Sequence, residues 1–281
     1  MTGTGKPELE VLQGFLAALL GPATLEPLAG GYHSRTYLYR LPQPAVAKLY
    51  RPEHSGLLYH RLEAEHMATA GLGERVLLHR DGSQNPTGRD LLVTRYFPGR
   101  PLGEEPLTDV AFSHLLGFLQ RMHQRHGGLV NIEAVRRNLE RHYAVVALDP
   151  EALAVWQQVQ ARFGNHLATT SSFLHNDTWG DNVLVNQTES MLVDWLKAGY
   201  GDPAQELALL KTGGLDRTSD PERHFERILA AYGRDVARRL SFYLPYTYLR
   251  DVVWLKNRQP HNLAELQRKL QWAWAALHRS Y

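Results

Sequence analysis

Leu174-His175-Asn176-Asp177-Thr178-Trp179-Gly180-Asp181-Asn182-Val183-Leu184-Val185 decides how the rest of the chain is read. An apolar residue leads into His-x-Asp, an asparagine follows after four intervening residues, and a β-prone run closes the stretch. Twelve residues beyond Asn182 stands Asp194, at the end of a second apolar run, Met191-Leu192-Val193. This pattern predicts a polar loop between two strands with Asp177 and Asn182 at one mouth, and a hairpin that returns Asp194 to it. One carboxylate to orient a hydroxyl, and an amide oxygen with a second carboxylate to hold Mg²⁺, are the groups that phosphoryl transfer needs. Its transition state is loose and highly charged, so catalysis rests on positioning and neutralisation. A single His-x-Asp is commonplace; His175, Asp177, Asn182 and Asp194 together, framed by apolar strands, are not.

Upstream of this stretch, strands are expected at 25–28, 36–41 and 45–50, a helix at 57–70 closed by Gly71 and Gly73, and a β-rich run at 91–97 broken by Pro98-Gly99. From 109 to 126 the apolar residues Phe112, Leu115, Leu116, Phe118, Leu119 and Met122 recur at helical spacing. Helices at 132–147 and 150–167 continue the pattern, and the chain is mostly helical again from Ala204. The expected class is α+β: a small β-rich N-terminal lobe over residues 1–97, a hinge at about 95–101 and a large, mostly helical C-terminal lobe over 98–281.

The 281 residues include no cysteine, which excludes disulfides, thiolate metal sites and a cysteine nucleophile, and suits a reducing cytoplasm. A net charge of +2, with arginines dispersed, calls for neither nucleic acid nor membrane as partner. Residues 11–20 are apolar but interrupted by Gln13 and Gly14, too short to span a bilayer, and read as an amphipathic first helix. Gly3-Thr4-Gly5-Lys6 fails as a phosphate loop because Pro7 stands where a hydroxyl residue is needed.

The His-x-Asp-x₄-Asn spacing equals that of the protein-kinase catalytic loop. The whole stretch resembles the aminoglycoside phosphotransferase and choline kinase superfamily, small-molecule kinases with a two-lobed, protein-kinase-like fold. Asp194-Trp195 followed by Gly201-Asp202-Pro203-Ala204-x-Glu206-Leu207-Ala208 looks like that family's downstream signature. The resemblance implies Asp177 as the catalytic carboxylate, with Asn182 and Asp194 as Mg²⁺ ligands. An aspartate of ordinary pKa, about 4, is a weak base, so Asp177 is expected mainly to orient the hydroxyl. His175 enters the catalytic loop as a buttress, and Asp202 as a helix cap that also braces the metal loop. Lys48, in Val46-Ala47-Lys48-Leu49, resembles the strand lysine that contacts the nucleotide phosphates, ATP or GTP. Its partner on the next helix is Glu63 in preference to Glu65; two residues apart, they face different sides. Gly30-Gly31-Tyr32-His33-Ser34 looks like the phosphate-covering turn, with Gly31 and Ser34 as contacts, and Tyr96 and Phe97 occupy the hinge where backbone groups meet the base.

Three places depart from the family pattern: Thr178 replaces an apolar residue, Asp181 adds a carboxylate beside Asn182, and Leu196-Lys197 follows Asp194-Trp195 where relatives often carry an acid. The acceptor is expected to be a small hydroxyl compound. Aromatics such as Trp179, Tyr246, Tyr248 and Trp272 suit a quaternary ammonium, although aromatics at helical spacing are more often core. Glu206, Asp216, Asp220, Glu222 and Glu226 would instead suit an aminoglycoside-like polycation. A catalytically silent relative binding nucleotide or a partner, and a metal-dependent phosphohydrolase, are the competing readings. The presence of Lys48, Asp177, Asn182 and Asp194 weighs against the first, and the scatter of the 14 histidines against the second.

Overall fold

A computed structural model of the chain describes residues 5–28, 31–164 and 167–279. Helix α1 (Gly5–Leu20) precedes strands β1 (Leu25–Leu28), β2 (Ser34–Tyr39) and β3 (Ala45–Tyr50), then α2 (Tyr59–Thr69), β4 (Val76–Arg80) and β5 (Leu91–Arg95). The five strands form an antiparallel sheet in the order β1-β2-β3-β5-β4. Period-two alternation sorts its faces. Ala45, Ala47 and Leu49 of β3 pack in one core with Leu12 and Leu16 of α1, whereas Tyr50 packs with Ala64 of α2 and Leu92 of β5. Lys48 shares the parity of Tyr50 and so belongs to the α2 face, opposite Thr36 and Leu92 in register. Strand β4, at the sheet's edge, has a register shift between Val76 and Leu78.

The remaining elements are β6 (Arg100–Pro101), α3 (Asp109–His123), β7 (His126–Leu129), α4 (Ile132–Val146), α5 (Pro150–Arg162), β8 (Thr170–Leu174), β9 (Val183–Val185), β10 (Ser190–Leu192), β11 (Gly199–Gly201), α6 (Pro203–Gly213), α7 (Pro221–Arg258) and α8 (Leu263–His278). The helical pattern expected to reach 126 stops at His123, so His123 and His126 share no helix face. Two small sheets, β10-β9-β6 and β11-β8-β7, frame the stretch that decided the sequence reading. Helix α6 is buried at ten of its positions, packed by the long α7, which bends at Gly233, where φ is +77°. Phe242, Tyr243, Tyr246 and Tyr248 of α7 are core residues.

The described residues up to Pro98 pack with Asp194–Leu196 as one unit; Gly99–Val193 and the described residues from Lys197 onward pack as a second. The first is β-rich and the second mostly helical, the α+β composition expected. Among the described residues no helix is long and apolar enough to cross a membrane.

Candidate active site

In the β-rich unit, Lys48 meets Glu63 because β3 turns it toward the buried stripe of α2, where Glu63, Ala64 and Met67 lie. The Lys48 Nζ donates to Glu63 Oε1 at 2.5 Å and lies 3.6 Å from Asp194 Oδ1. Glu63 also accepts from the Tyr50 hydroxyl at 2.6 Å and the Trp195 N–H at 3.3 Å. Glu65 is exposed, so Glu63 is the lysine's partner. Burial alone would lower the Lys48 pKa, but the Glu63 and Asp194 carboxylates outweigh it and hold the ammonium above the ordinary lysine value. The Tyr50 hydroxyl is pushed up by burial and then by Glu63, so it stays a neutral donor. In a Glu63→Gln variant the largest opposing influence on Lys48 is removed. Its pKa is expected to fall below the ordinary value, read by NMR titration of the side-chain nitrogen. An unmoved pKa would mean that Asp194 alone holds the charge.

In the helical unit, β8 delivers His175 and Asp177, and a single 3₁₀ turn over Gly180–Asn182 returns the chain to β9. The His175 ring is fully buried and its Nε2 lies 3.0 Å from the Val193 carbonyl oxygen, a support for the loop from beneath. Asn176 has positive φ, 63°. Asn182 Nδ2 donates to the Asp177 carbonyl at 3.0 Å and to Asp177 Oδ2 at 3.1 Å, which turns the amide oxygen of Asn182 away. That outward oxygen, and the Asp194 carboxylate at 42% side-chain exposure, are hard donors of the kind Mg²⁺ takes. The structure therefore brings His175, Asp177 and Asn182 together in one unit, and Lys48, Glu63 and Asp194 in the other.

Two residues that were read differently from sequence turn out to hold the loop. Glu206 is fully buried in α6. Its Oε1 accepts the Asn176 N–H at 2.8 Å, and its Oε2 lies 2.7 Å from His123 Nε2. The Tyr232 hydroxyl reaches His123 Nδ1 at 2.7 Å. Asp202 caps α6 through Ala204 N–H, as expected, and its other contacts are Ala168 N–H and Arg239 Nε rather than the loop. Glu206 performs the bracing because it stands one helical turn further along α6. A glutamate among Ala204, Leu207 and Ala208 was the available signal, since an acid inside an apolar helix needs a buried partner. Thr178 is buried where an apolar residue was expected, and its hydroxyl donates to the Glu206 carbonyl at 3.3 Å. Asp181 is exposed and paired with Arg217 at 2.8 Å. The other residue is Lys197: its Nζ lies 3.0 Å from both carboxylate oxygens of Asp177.

Gly31 has φ of +95°, and a Cβ there would stand 2.5 Å from the Ser34 carbonyl oxygen, so only glycine makes this turn. Ser34 begins β2 and is buried, while Gly30 lies outside the described residues. In the segment expected to be the hinge, the Tyr96 N–H is spent on the Pro44 carbonyl at 2.9 Å and Tyr96 O accepts from Arg75 at 3.2 Å. The Phe97 backbone has no such bond among the described residues, which makes it the more available of the two. Among the described residues one cluster of His and carboxylate groups has metal-ligand spacing: His60, Asp81 and Asp90. It contains none of the residues above, and Asp81 is already bonded to Arg61.

Residues 24–243 match the family described as phosphotransferase enzyme family. No protein of curated function matches the sequence. Several solved structures share the fold. The choline/ethanolamine kinase family protein of Mesorhizobium loti superposes with a TM-score of 0.65 at 18% identity, over 95% of its chain and 98% of this one. The macrolide 2′-phosphotransferase of Brachybacterium faecium gives 0.60 at 19%, over 99% of its chain and 98% of this one. A thermostable variant of aminoglycoside phosphotransferase APH(4)-Ia, in ternary complex with AMP-PNP and hygromycin B, gives 0.65 at 18%, over 97% of its chain and 95% of this one. With the family pattern running through most of its length and the kinase-like fold beneath it, the chain belongs to the phosphotransferase enzyme family and is a phosphotransferase with an alcohol group as acceptor.

Proposed function

We propose that the protein is a kinase that transfers the γ-phosphoryl group of ATP or GTP, with Mg²⁺, to a hydroxyl of a small molecule. The observation that carries this is the Asp177–Asn182 pair: the amide nitrogen fixes the carboxylate, and the amide oxygen faces away as a metal donor. Asp177 orients the acceptor hydroxyl and receives its proton; His175 and Glu206 position the loop without touching the reacting atoms. Lys48, held by Glu63, meets the nucleotide phosphates, with Gly31 and Ser34 at the covering turn. The hinge backbone at Phe97, rather than at Tyr96, meets the base. Asn182 and Asp194 are the residues that would hold Mg²⁺, which when bound would neutralise charge on the phosphates. The neighbour that carries AMP-PNP and hygromycin B together supports a nucleotide and a small acceptor here.

The test is acceptor-dependent release of ADP or GDP with Mg²⁺ present, using an Asp177→Ala control. Product phosphorylation that the control lacks is the expected result; nucleotide hydrolysis without acceptor turnover would favour the phosphohydrolase. Separately, Asp194→Asn is expected to weaken nucleotide binding in Mg²⁺ about tenfold or more, the scale of losing one charged ligand contact. It should leave binding in EDTA nearly as in the parent. Calorimetric titration in both buffers checks it, and an unchanged Mg²⁺ dependence would remove Asp194 from the metal.

A further inference from the structure

We propose that the acceptor is an anionic hydroxy compound, carrying a carboxylate or phosphate beside its hydroxyl, and that Lys197 recognises that group. This rests on the kinase reading of Asp177. The carboxylate meant to take the hydroxyl proton already has an ammonium 3.0 Å from each of its oxygens. Lys197 is 63% exposed and Asp177 13%. Ion pairs with so open a partner are weak and exchange readily. An acceptor anion can draw the ammonium off Asp177, and the freed carboxylate oxygen then meets the hydroxyl. The incoming hydroxyl oxygen forms its bond to the γ-phosphorus as the bond to the β,γ-bridging oxygen breaks. The proton passes to Asp177 and the nucleoside diphosphate leaves. A cationic acceptor offers Lys197 no such exchange and meets a like charge.

The groups that would welcome a cation already carry partners, most firmly at the enclosed Glu206 and Asp216. Glu206 is buried against His123 and the Asn176 N–H. Asp216 holds Lys211 and, at 2.7 Å, the Tyr248 hydroxyl. Glu222 holds Lys211 at 3.0 Å and Arg279 at 2.6 Å, Glu226 holds Arg279, and Asp220 caps α7. The aromatic faces that would cage a quaternary ammonium carry the chain's own cations. Arg250 lies 5.8 Å over Trp179, Lys269 lies 5.4 Å over both Tyr248 and Trp272, and Lys211 lies 5.7 Å over Phe225.

A second cation stands near the loop. Trp179 follows Asp177 by two residues, and one terminal nitrogen of the guanidinium above it is buried without a hydrogen-bond partner among the described residues. The contact of Arg250 with Asp251 is 3.8 Å. Burial first, and then Arg250 and Arg141 beside it, lowers the His142 pKa to about 4. Lys197 and Arg250 thus present positive charge around the catalytic loop with no uncommitted carboxylate among those named.

The experiment measures Asp177-dependent ADP release from the full chain with two sets of acceptors. Gluconate, glycerate and a hexose monophosphate form the anionic arm; choline, ethanolamine and hygromycin B form the cationic arm. Turnover is expected in the anionic arm, carboxylate and phosphate probes being scored separately. Lys197→Met should raise the KM of the preferred anionic acceptor about 10- to 100-fold, the worth of one charged hydrogen bond. The KM for ATP should stay within about twofold, and Lys197→Arg should recover most of the loss; a merely structural lysine would show neither pattern. Turnover confined to the cationic arm, or an acceptor KM indifferent to Lys197→Met, would overturn the inference and leave the kinase standing. Silence in both arms would overturn the kinase reading and this inference with it.

Discussion

Substituting Asp177 with alanine is expected to lower turnover about 10²- to 10⁴-fold and to leave Mg²⁺-nucleotide binding in place. The magnitude is that of a positioned acid–base group, and the structure shows why positioning dominates. Asp177 is held by the Asn182 amide at 3.1 Å, and its own carbonyl accepts the Trp179 N–H at 2.8 Å. A carboxylate fixed in this way can meet a hydroxyl along one direction, which supplies the orientation that an untethered base would lack. Asp177→Asn separates shape from charge. The amide keeps the volume and can still face Asn182, but it can neither take a proton nor neutralise Lys197. Loss of similar size in both variants is expected, since the charge is the missing element in each. Single-turnover transfer, with nucleotide affinity measured alongside, checks the pair. Wild-type turnover in either variant would remove Asp177 from the reaction.

The loop and its flanking strands were legible because their constraints are local. Strand β3 runs over Ala45–Tyr50, as alternation required, and the loop's polar residues sit between the apolar strands predicted for them. Strand β4 escaped notice: Val76–Arg80 ends in His79 and Arg80, and an edge strand with a bulge need not alternate cleanly. The end of α3 was misplaced because His126 fits a helical face as well as it fits β7. What no window of sequence contains is pairing across distance. Glu206 meets His123 from 83 positions away, and Lys197 meets Asp177 from 20 away. Leu196-Lys197 could be noticed as a departure from the family pattern, but the contact of Lys197 with Asp177 depends on how the strands around the two residues pack. The choice between Glu63 and Glu65 was likewise a matter of helix phase, settled by which of the two is buried beside Tyr50.

Glu206→Ala is expected to cost about 1–3 kcal/mol of folding stability for each buried hydrogen-bonding partner it leaves unsatisfied. Glu206 is fully buried, and of its two partners His123 is buried and the Asn176 backbone partly so. Its removal leaves the Asn176 N–H without an acceptor and His123 without its 2.7 Å partner, and it opens a void under the loop. Asn176 also sits at φ of 63°, a conformation that non-glycine residues hold only when neighbours over-determine it. With the anchor gone the residue can relax toward the ordinary region, and Asp177, next in the chain, moves with it. Stability and turnover should therefore fall together, against total stabilities of about 5–15 kcal/mol for folded domains. Glu206→Gln separates the two effects: its amide oxygen can still accept from Asn176, so the loop keeps its backbone geometry, while the charge facing His123 is lost. Chemical denaturation with activity measured on the folded fraction distinguishes them. A Glu206→Ala protein that unfolds at the parent's midpoint, or one whose folded fraction turns over normally, would show that the loop keeps its shape without this carboxylate.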